Sequence, residues 1–469
     1  MPVTTGGGFS SARQRIRPYA KYKDSGVEWL GEIPEHWQAR RLKRVFSVIN
    51  GSTPQSGIPE FWEGKIAWVT PEDLGELEGA DILKTQRHIT EQGYRSCGTS
   101  LVPAGSLVLS TRAPIGYLGI AGIELCTNQG CRSLIFRRKS EQKYFYYELS
   151  VTKADLISLG QGSTFNELSK DSLEQFVIAE PPRDEQAIIA GFLDRETAKI
   201  DALIEKKERL IALLQEKRTA LITQAVTKGL DPNVPMKDSG IEWLGKIPAH
   251  WKCLALSRVN LARCDGPFGS GLKSEHYSES GVRVIRLQNI GSAEFFDTDK
   301  AYINEEYRSL LGDHSVFPGD LLVAGLGDDA HPVGRACVAP ENIAPAIVKA
   351  DCFRFRLDVQ SLLPRFGAYQ LSVTAVAAAG AFSTGATRSR LNLTAMATRK
   401  IALPPLEEQA AIVNILDQRC DESGAVIAKI KEAIDRLKEY RSALISSAVT
   451  GKIDARELVR FDNNISPPD

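Results

Sequence analysis

The segment KDSGVEWLGEIPEHW at positions 23–37 returns as KDSGIEWLGKIPAHW at positions 237–251. Only Val27/Ile241, Glu32/Lys246 and Glu35/Ala249 differ, and the offset is 214 residues. Two tryptophans, a histidine and an Ile-Pro pair repeated in register require a chain built from two homologous halves. A second repeat closes each half. AEPPRDEQ starts at Ala179 and ALPPLEEQ at Ala402, and both segments run on to Ala-Leu-Ile and then Ala-Val-Thr.

The closing segments predict long helices. Pro181-Pro182 and Pro404-Pro405 suit a helix start, where the first N–H groups have no intrahelical partner to lose. Asp184-Glu185 and Glu407-Glu408 place negative charge at the positive end of the helix dipole. Gly229 and Gly451 suit the left-handed position after the last turn. Between these signals Ile200, Leu203, Leu210, Leu214 and Leu221 recur at heptad spacing, as do Ile427, Ile430, Ile434, Leu437 and Leu444. Charged residues fill the intervals, and such stripes bury against a partner helix as a coiled coil. Each helix spans roughly 45 residues, or about 65–70 Å, so the stripes meet only if the second helix runs back antiparallel.

The predicted fold class is α/β (α+β), with two globular domains separated and joined by two long antiparallel coiled-coil helices, related by a pseudo-twofold internal repeat. The predicted boundaries are an N-terminal tail at 1–21, a globular part at 22–179, a helix at 180–230 and a linker at 231–235. A second globular part at 236–402, a second helix at 403–453 and a tail at 454–469 follow. The globular parts read as mixed α/β from short β-rich runs such as KIAWVT, SLVLST and CFRFRL, separated by turn signals. Between the repeated ends their interiors diverge.

Composition excludes some classes. The 469 residues carry 58 basic and 58 acidic side chains, a balance that neither favours nor forbids an acidic partner. No apolar run reaches the ~20 residues of a membrane span, and residues 1–21 read as a loose tail or a basic arm touching phosphate, not as a secretory signal. Eight scattered cysteines without a CxxC read as reduced thiols in a cytoplasm, and no metal site is expected. GPFGSGLKS at 266–274 fails as a phosphate loop because Leu272 separates Gly271 from Lys273.

The repeated openings, NGSTP at 50–54, GPFGSGLKS, RVIRLQNIG at 283–291 and the two PP-x-x-EQ helix starts occur in an order that resembles the DNA-specificity subunit of type I restriction–modification systems. The resemblance covers about residues 22–453. It implies that each globular part is a target-recognition domain reading one half of a split DNA site. The helices would set the spacing and hold two methyltransferase subunits, through which motor-nuclease subunits join. It further implies a non-catalytic chain on double-stranded DNA, with S-adenosylmethionine, ATP and Mg2+ belonging to the partners.

Divergent interiors within a shared frame suit two different half-sites, since identical readers favour a palindrome. Base readout calls for Arg, Lys, Asn, Gln, Ser and Thr on loops. In the first part the candidates are Ser52, Thr53, Gln161, Ser163, Thr164 and Asn166, with Arg112 beside Thr111, and Asn128 beside Gln129, weaker. In the second they are Ser270, Lys273, Arg286, Gln288, Asn289, Arg388, Ser389, Arg390 and Asn392. Sequence spacing pairs Ser163 with Ser389 and Asn166 with Asn392, the asparagines serving equally well as helix caps. Alternation puts Arg286 and Gln288 on one strand face. The four repeated tryptophans read as packing, with His36 and His250 as satisfied partners beside them. No residue is assigned as catalytic. The rival reading is a coiled-coil scaffold without DNA recognition.

Overall fold

The computed structural model describes residues 18–160, 167–267, 271–328, 330–343, 345–377 and 389–456. The chain divides into two compact units, unit 1 of Met1–Lys206 with Glu432–Asp469 and unit 2 of Lys207–Lys431. Four helices organise them: α1 (Gln142–Val151), α2 (Arg183–Lys228), α3 (Pro364–Val373) and α4 (Leu406–Val449). Both units therefore combine one globular part with pieces of both long helices.

In unit 1 a five-stranded sheet runs Phe46–Asn50, Cys131–Phe136, Leu107–Ser110, Leu118–Ala121 and Asp81–Ile82. A smaller sheet holds Trp62–Val69 between Cys126–Thr127 and Arg87–Ile89. Gln38–Arg41 pairs antiparallel with Val177–Glu180, fastening the start of the domain to its end. Unit 2 repeats this closure with Lys252–Ala255 and Lys400–Leu403. Its central sheet orders Asn260–Cys264, Cys352–Leu357, Leu321–Ala324 and Ala336–Val338. The central pairing is shared down to register: Cys131 faces Ser110, and Cys352 faces Ala324.

The duplicated openings form the seam between each domain and the helices. Tyr22–Asp24 pairs with Glu32–Pro34, and Met236–Asp238 with Lys246–Pro248. Trp37 and Trp251 at their ends are fully buried. His36 Nε2 lies 2.8 Å from Glu185 Oε2 at the start of α2, and His250 Nε2 lies 2.8 Å from Glu408 Oε2 at the start of α4. Each seam also receives the end of the other helix. Gly451 after α4 has φ +73°, and a Cβ there would stand 2.3 Å from Pro34 and 3.3 Å from Trp37. Gly229 after α2 has φ +79° and faces Glu408 and Trp251. Glycine adopts this left-handed conformation without steric cost. The tryptophan and histidine expectations thus match the packing.

Helix pairing is antiparallel within each unit. In unit 1, Ile200 of α2 shares a core with Leu444, Ile445 and Ala448 of α4, and Arg441 binds Asp201 at 2.8 Å. In unit 2, Ile222 and Val226 share a core with Ile412 and Leu416. On α4 the expected Ile427, Ile430, Ile434, Leu437 and Leu444 are buried or half-buried. On α2 only Ile200 and Leu214 of the expected row are; Leu203, Leu210 and Leu221 are 43%, 45% and 37% exposed. The covered row is instead Ile200, Ile204, Lys207, Ile211, Leu214, Arg218 and Ile222. Lys207 and Arg218 occupy seam positions because their aliphatic stems bury while their charged heads reach water.

Candidate nucleic-acid interface

In unit 1 four loops converge. Gly51 approaches Asn128 so closely that a Cβ would stand 1.8 Å from its carbonyl oxygen. Ser52 N–H donates to Thr127 O at 2.9 Å, and the Thr53 hydroxyl donates to Gln129 Oε1. Thr111 N–H donates to Gly130 O at 2.8 Å, and Leu168 N–H to Thr111 O at 2.8 Å. Arg112 Nε then meets Glu167 Oε2 at 3.0 Å. Ser52, Thr53 and Arg112 therefore share one surface with Asn128 and Gln129. Beneath it lies Arg132, a buried residue missed in the sequence, donating to Thr111 Oγ1 at 3.0 Å and reaching Glu167 at 3.5 Å. Burial lowers its pKa, with Glu167 pulling the other way.

Unit 2 repeats the main-chain scaffold. Gly325 N–H donates to Asp351 O at 2.7 Å, and Leu391 N–H to Gly325 O at 2.8 Å. Leu326–Gly327 pairs with Ser389–Arg390. Arg390 Nε donates to Asp351 Oδ1 at 2.9 Å, and its guanidinium remains more than half exposed. The equivalence is thus Glu167 with Arg390 and Leu168 with Leu391. The caps follow suit: Ser169 Oγ accepts Ser172 N–H at 3.0 Å and Asn392 Oδ1 accepts Ala395 N–H at 2.8 Å. This corrects the sequence pairing of Asn392, which matches Ser169, one shared α-helix start fixing the register.

The remaining candidates divide. Gln288 is exposed. Asn289 is fully buried: its Nδ2 donates to Phe296 O and Asp299 O at 2.8 Å each, and its Oδ1 accepts Arg286 N–H at 2.9 Å. Asn289 therefore shapes the loop and presents nothing to a ligand. Alternation also fails, because the strand ends at Ile285 and Leu287–Asn289 is a 3-10 turn. Arg286 Nε donates to Asp299 Oδ2 at 2.7 Å. Lys273 lies with another group of contacts, 3.7 Å from Glu275 and with its N–H on His276 Nδ1 at 3.0 Å. Gln161, Ser163, Thr164, Asn166, Ser270 and Arg388 lie outside the described residues.

Among the described residues no cluster of three or more His, Cys, Asp or Glu side chains could hold a metal, and no helix is long and apolar enough to cross a membrane. The arrangement offers side-chain donors and acceptors on loops held by rigid sheets, the form that groove readout takes.

Comparison with known proteins accounts for this form. The type I restriction enzyme MjaIX specificity subunit of Methanocaldococcus jannaschii is 36% identical over 204 residues, 43% of this chain and 46% of that protein. The MjaVIII specificity subunit of the same organism is 24% identical over 438 residues, 91% of this chain and 95% of that protein. A solved structure described as "Structural basis underlying complex assembly and conformational transition of the type I R-M system" shares the fold with a TM-score of 0.61. It is 18% identical and covers 90% of this chain and 99% of its own. The family model for the type I restriction modification DNA specificity domain matches residues 34–212 and again 272–436. With both halves matched by one model, the chain belongs to the type I restriction modification DNA specificity family.

Proposed function

We propose that each globular part of this non-catalytic specificity subunit reads one half of a bipartite, asymmetric double-stranded DNA site. The carrying observation is one main-chain scaffold that displays different side chains in the two units. Glu167 stands against Arg112 in unit 1, where Arg390 stands against Asp351 in unit 2. Ser52, Thr53, Arg112 and Gln129 are the unit 1 groups offered to DNA, and Gln288 and Arg390 those of unit 2. Phosphate contacts would position each domain, and base-edge contacts would specify.

The paired helices act as the spacer and as the dock for two methyltransferase subunits. Exposed Leu210, Leu213 and Leu221 on α2 support such docking, because scattered apolar residues are ordinary but a helical row invites a partner helix. Motor-nuclease subunits join through the methyltransferase core, and S-adenosylmethionine, ATP and Mg2+ act in those partners. The assembly works in the cytoplasm.

Methylome sequencing tests this reading. A host carrying the wild-type subunit with its methyltransferase is expected to show one bipartite motif with a constant gap. Removing one heptad from each helix is expected to change the gap and leave both half-sites unchanged. An undivided motif, or none, refutes the two-reader assignment and favours a scaffold; an unchanged gap refutes the spacer role.

A further inference from the structure

Unit 2 contains a buried arginine whose partners are main-chain carbonyls. Arg335 is 5% exposed. Its Nε donates to Ile290 O at 2.7 Å and its Nη2 to Leu287 O at 3.1 Å. Its Nη1 is shared among Leu326 O at 3.2 Å, His331 O at 3.1 Å and Pro332 O at 3.3 Å. Burying a guanidinium is costly unless its N–H groups are satisfied, so these loops and the side chain hold one another in place.

The carbonyls belong to two stretches far apart in sequence. One is the 3-10 turn Leu287–Asn289, which carries exposed Gln288. The other begins with Leu326–Gly327, the strand paired to Ser389–Arg390. Between them opens a cavity of about 500 Å³ lined by Gln288, Phe296, Asp328 and His331, with Arg335 in its wall. Asp328 Oδ1 accepts the Ala330 and His331 N–H groups at 3.0 and 2.8 Å, and lies 3.2 Å from His331 Nδ1. The mouth thus displays an amide, a carboxylate, an imidazole and an aromatic ring. An amide matches the adenine edge, a carboxylate accepts from cytosine, and an apolar ring meets the thymine methyl.

We propose that Arg335 is a positioning residue for the half-site read by unit 2, holding open the cleft in which Gln288, Asp328 and His331 meet base edges. This rests on the reading of unit 2 as a DNA-recognition module. Unit 1 has Tyr117 at the corresponding position: Ala324 N–H donates to Arg335 O, and its counterpart Ser110 N–H donates to Tyr117 O. Lysine cannot substitute, because three donors on one nitrogen cannot span carbonyls on both loops.

The test uses the complex assembled with its methyltransferase. Competition binding compares the cognate duplex with duplexes carrying single base changes in either half-site. For Arg335→Lys, discrimination is expected to fall about ten-fold in one half-site and to stay intact in the other. Gln288→Ala, an exposed change, is expected to weaken discrimination within that same half-site. Equal loss in both half-sites, or unchanged discrimination in folded Arg335→Lys, overturns the assignment. If Arg335→Lys fails to melt cooperatively, Gln288→Ala decides, and its unchanged discrimination overturns the cleft. A wild-type complex without half-site discrimination refutes the DNA-reading assignment itself; a discriminating wild type with indifferent variants refutes Arg335 and the cleft alone.

Discussion

The two units solve one hydrogen-bonding problem with different atoms. In unit 2, Gln370 of α3 donates through Nε2 to Val226 O at 2.7 Å and Ala402 O at 3.0 Å, and accepts Ala402 N–H at 3.0 Å. In unit 1 the repeat-equivalent residue is Glu148 of α1, which accepts Ala179 N–H but carries no amide NH2 to donate to two carbonyls. The Tyr144 hydroxyl serves instead, lying 3.1 Å from Val449 O and 3.3 Å from Ala179 O. Phe366 stands where Tyr144 does, freed from that duty. Both solutions satisfy a carbonyl in the last turn of the incoming helix, which no intrahelical N–H can reach. The repeat therefore conserves the need for partners and leaves their identity open. Glu148 Oε2 is left buried without a partner, and burial raises its pKa well above the ordinary carboxylate range.

The largest test of equivalence is at the seam. Trp37→Ala and Trp251→Ala are each expected to cost about 3–5 kcal/mol, read from denaturant unfolding of the two units. A large difference between them would break the equivalence. Phenylalanine sharpens the comparison: Trp251 Nε1 donates to Glu408 at 3.1 Å, while Trp37 Nε1 is buried without a partner. Trp251→Phe is therefore expected to cost about 1 kcal/mol more than Trp37→Phe.

Glu148→Gln imports the unit 2 solution into unit 1. Burial holds the folded wild-type carboxyl's pKa above the ordinary value it keeps when unfolded. Its favourable state is thus fully present below that ordinary pKa and is lost as pH rises above it. The variant is expected to gain about 1–3 kcal/mol near neutral pH and to flatten the pH dependence of urea unfolding. A variant no more stable at pH 7 than at pH 4, relative to wild type, would show that Glu148 is not the source.

The smallest effects concern the histidines. Glu185 is buried and also accepts from the Tyr19 hydroxyl, whereas Glu408 is about one-quarter exposed. His36→Ala is expected to destabilise unit 1 by about 1–2 kcal/mol, and His250→Ala to cost less than about 1 kcal/mol in unit 2. The reverse order in thermal melts would mean that exposure does not govern this pair.

The frame was legible because it was written twice. Repeated Trp, His, Pro-Pro and Gly positions located the seam and the helix ends, and α4 disclosed its seam through apolar identity. On α2 the same rule drifted one residue, to Leu203, Leu210 and Leu221, because Lys207 and Arg218 share the covered row. Polar identity misled again at Asn289, which looks like a reader and is a core strut. Arg132 and Arg335 went unread for the converse reason: an arginine buried by distant loops has no local signature.

The last turns of α4 form one wall of the unit 1 core, where Leu444, Ile445, Ala448 and Val449 pack with Tyr144 and Phe145. On the ribosome the first lobe therefore waits, its apolar interior uncovered, until α4 has been translated. A chain cut short before α4 would leave that opening lobe, though itself fully encoded, as protease substrate.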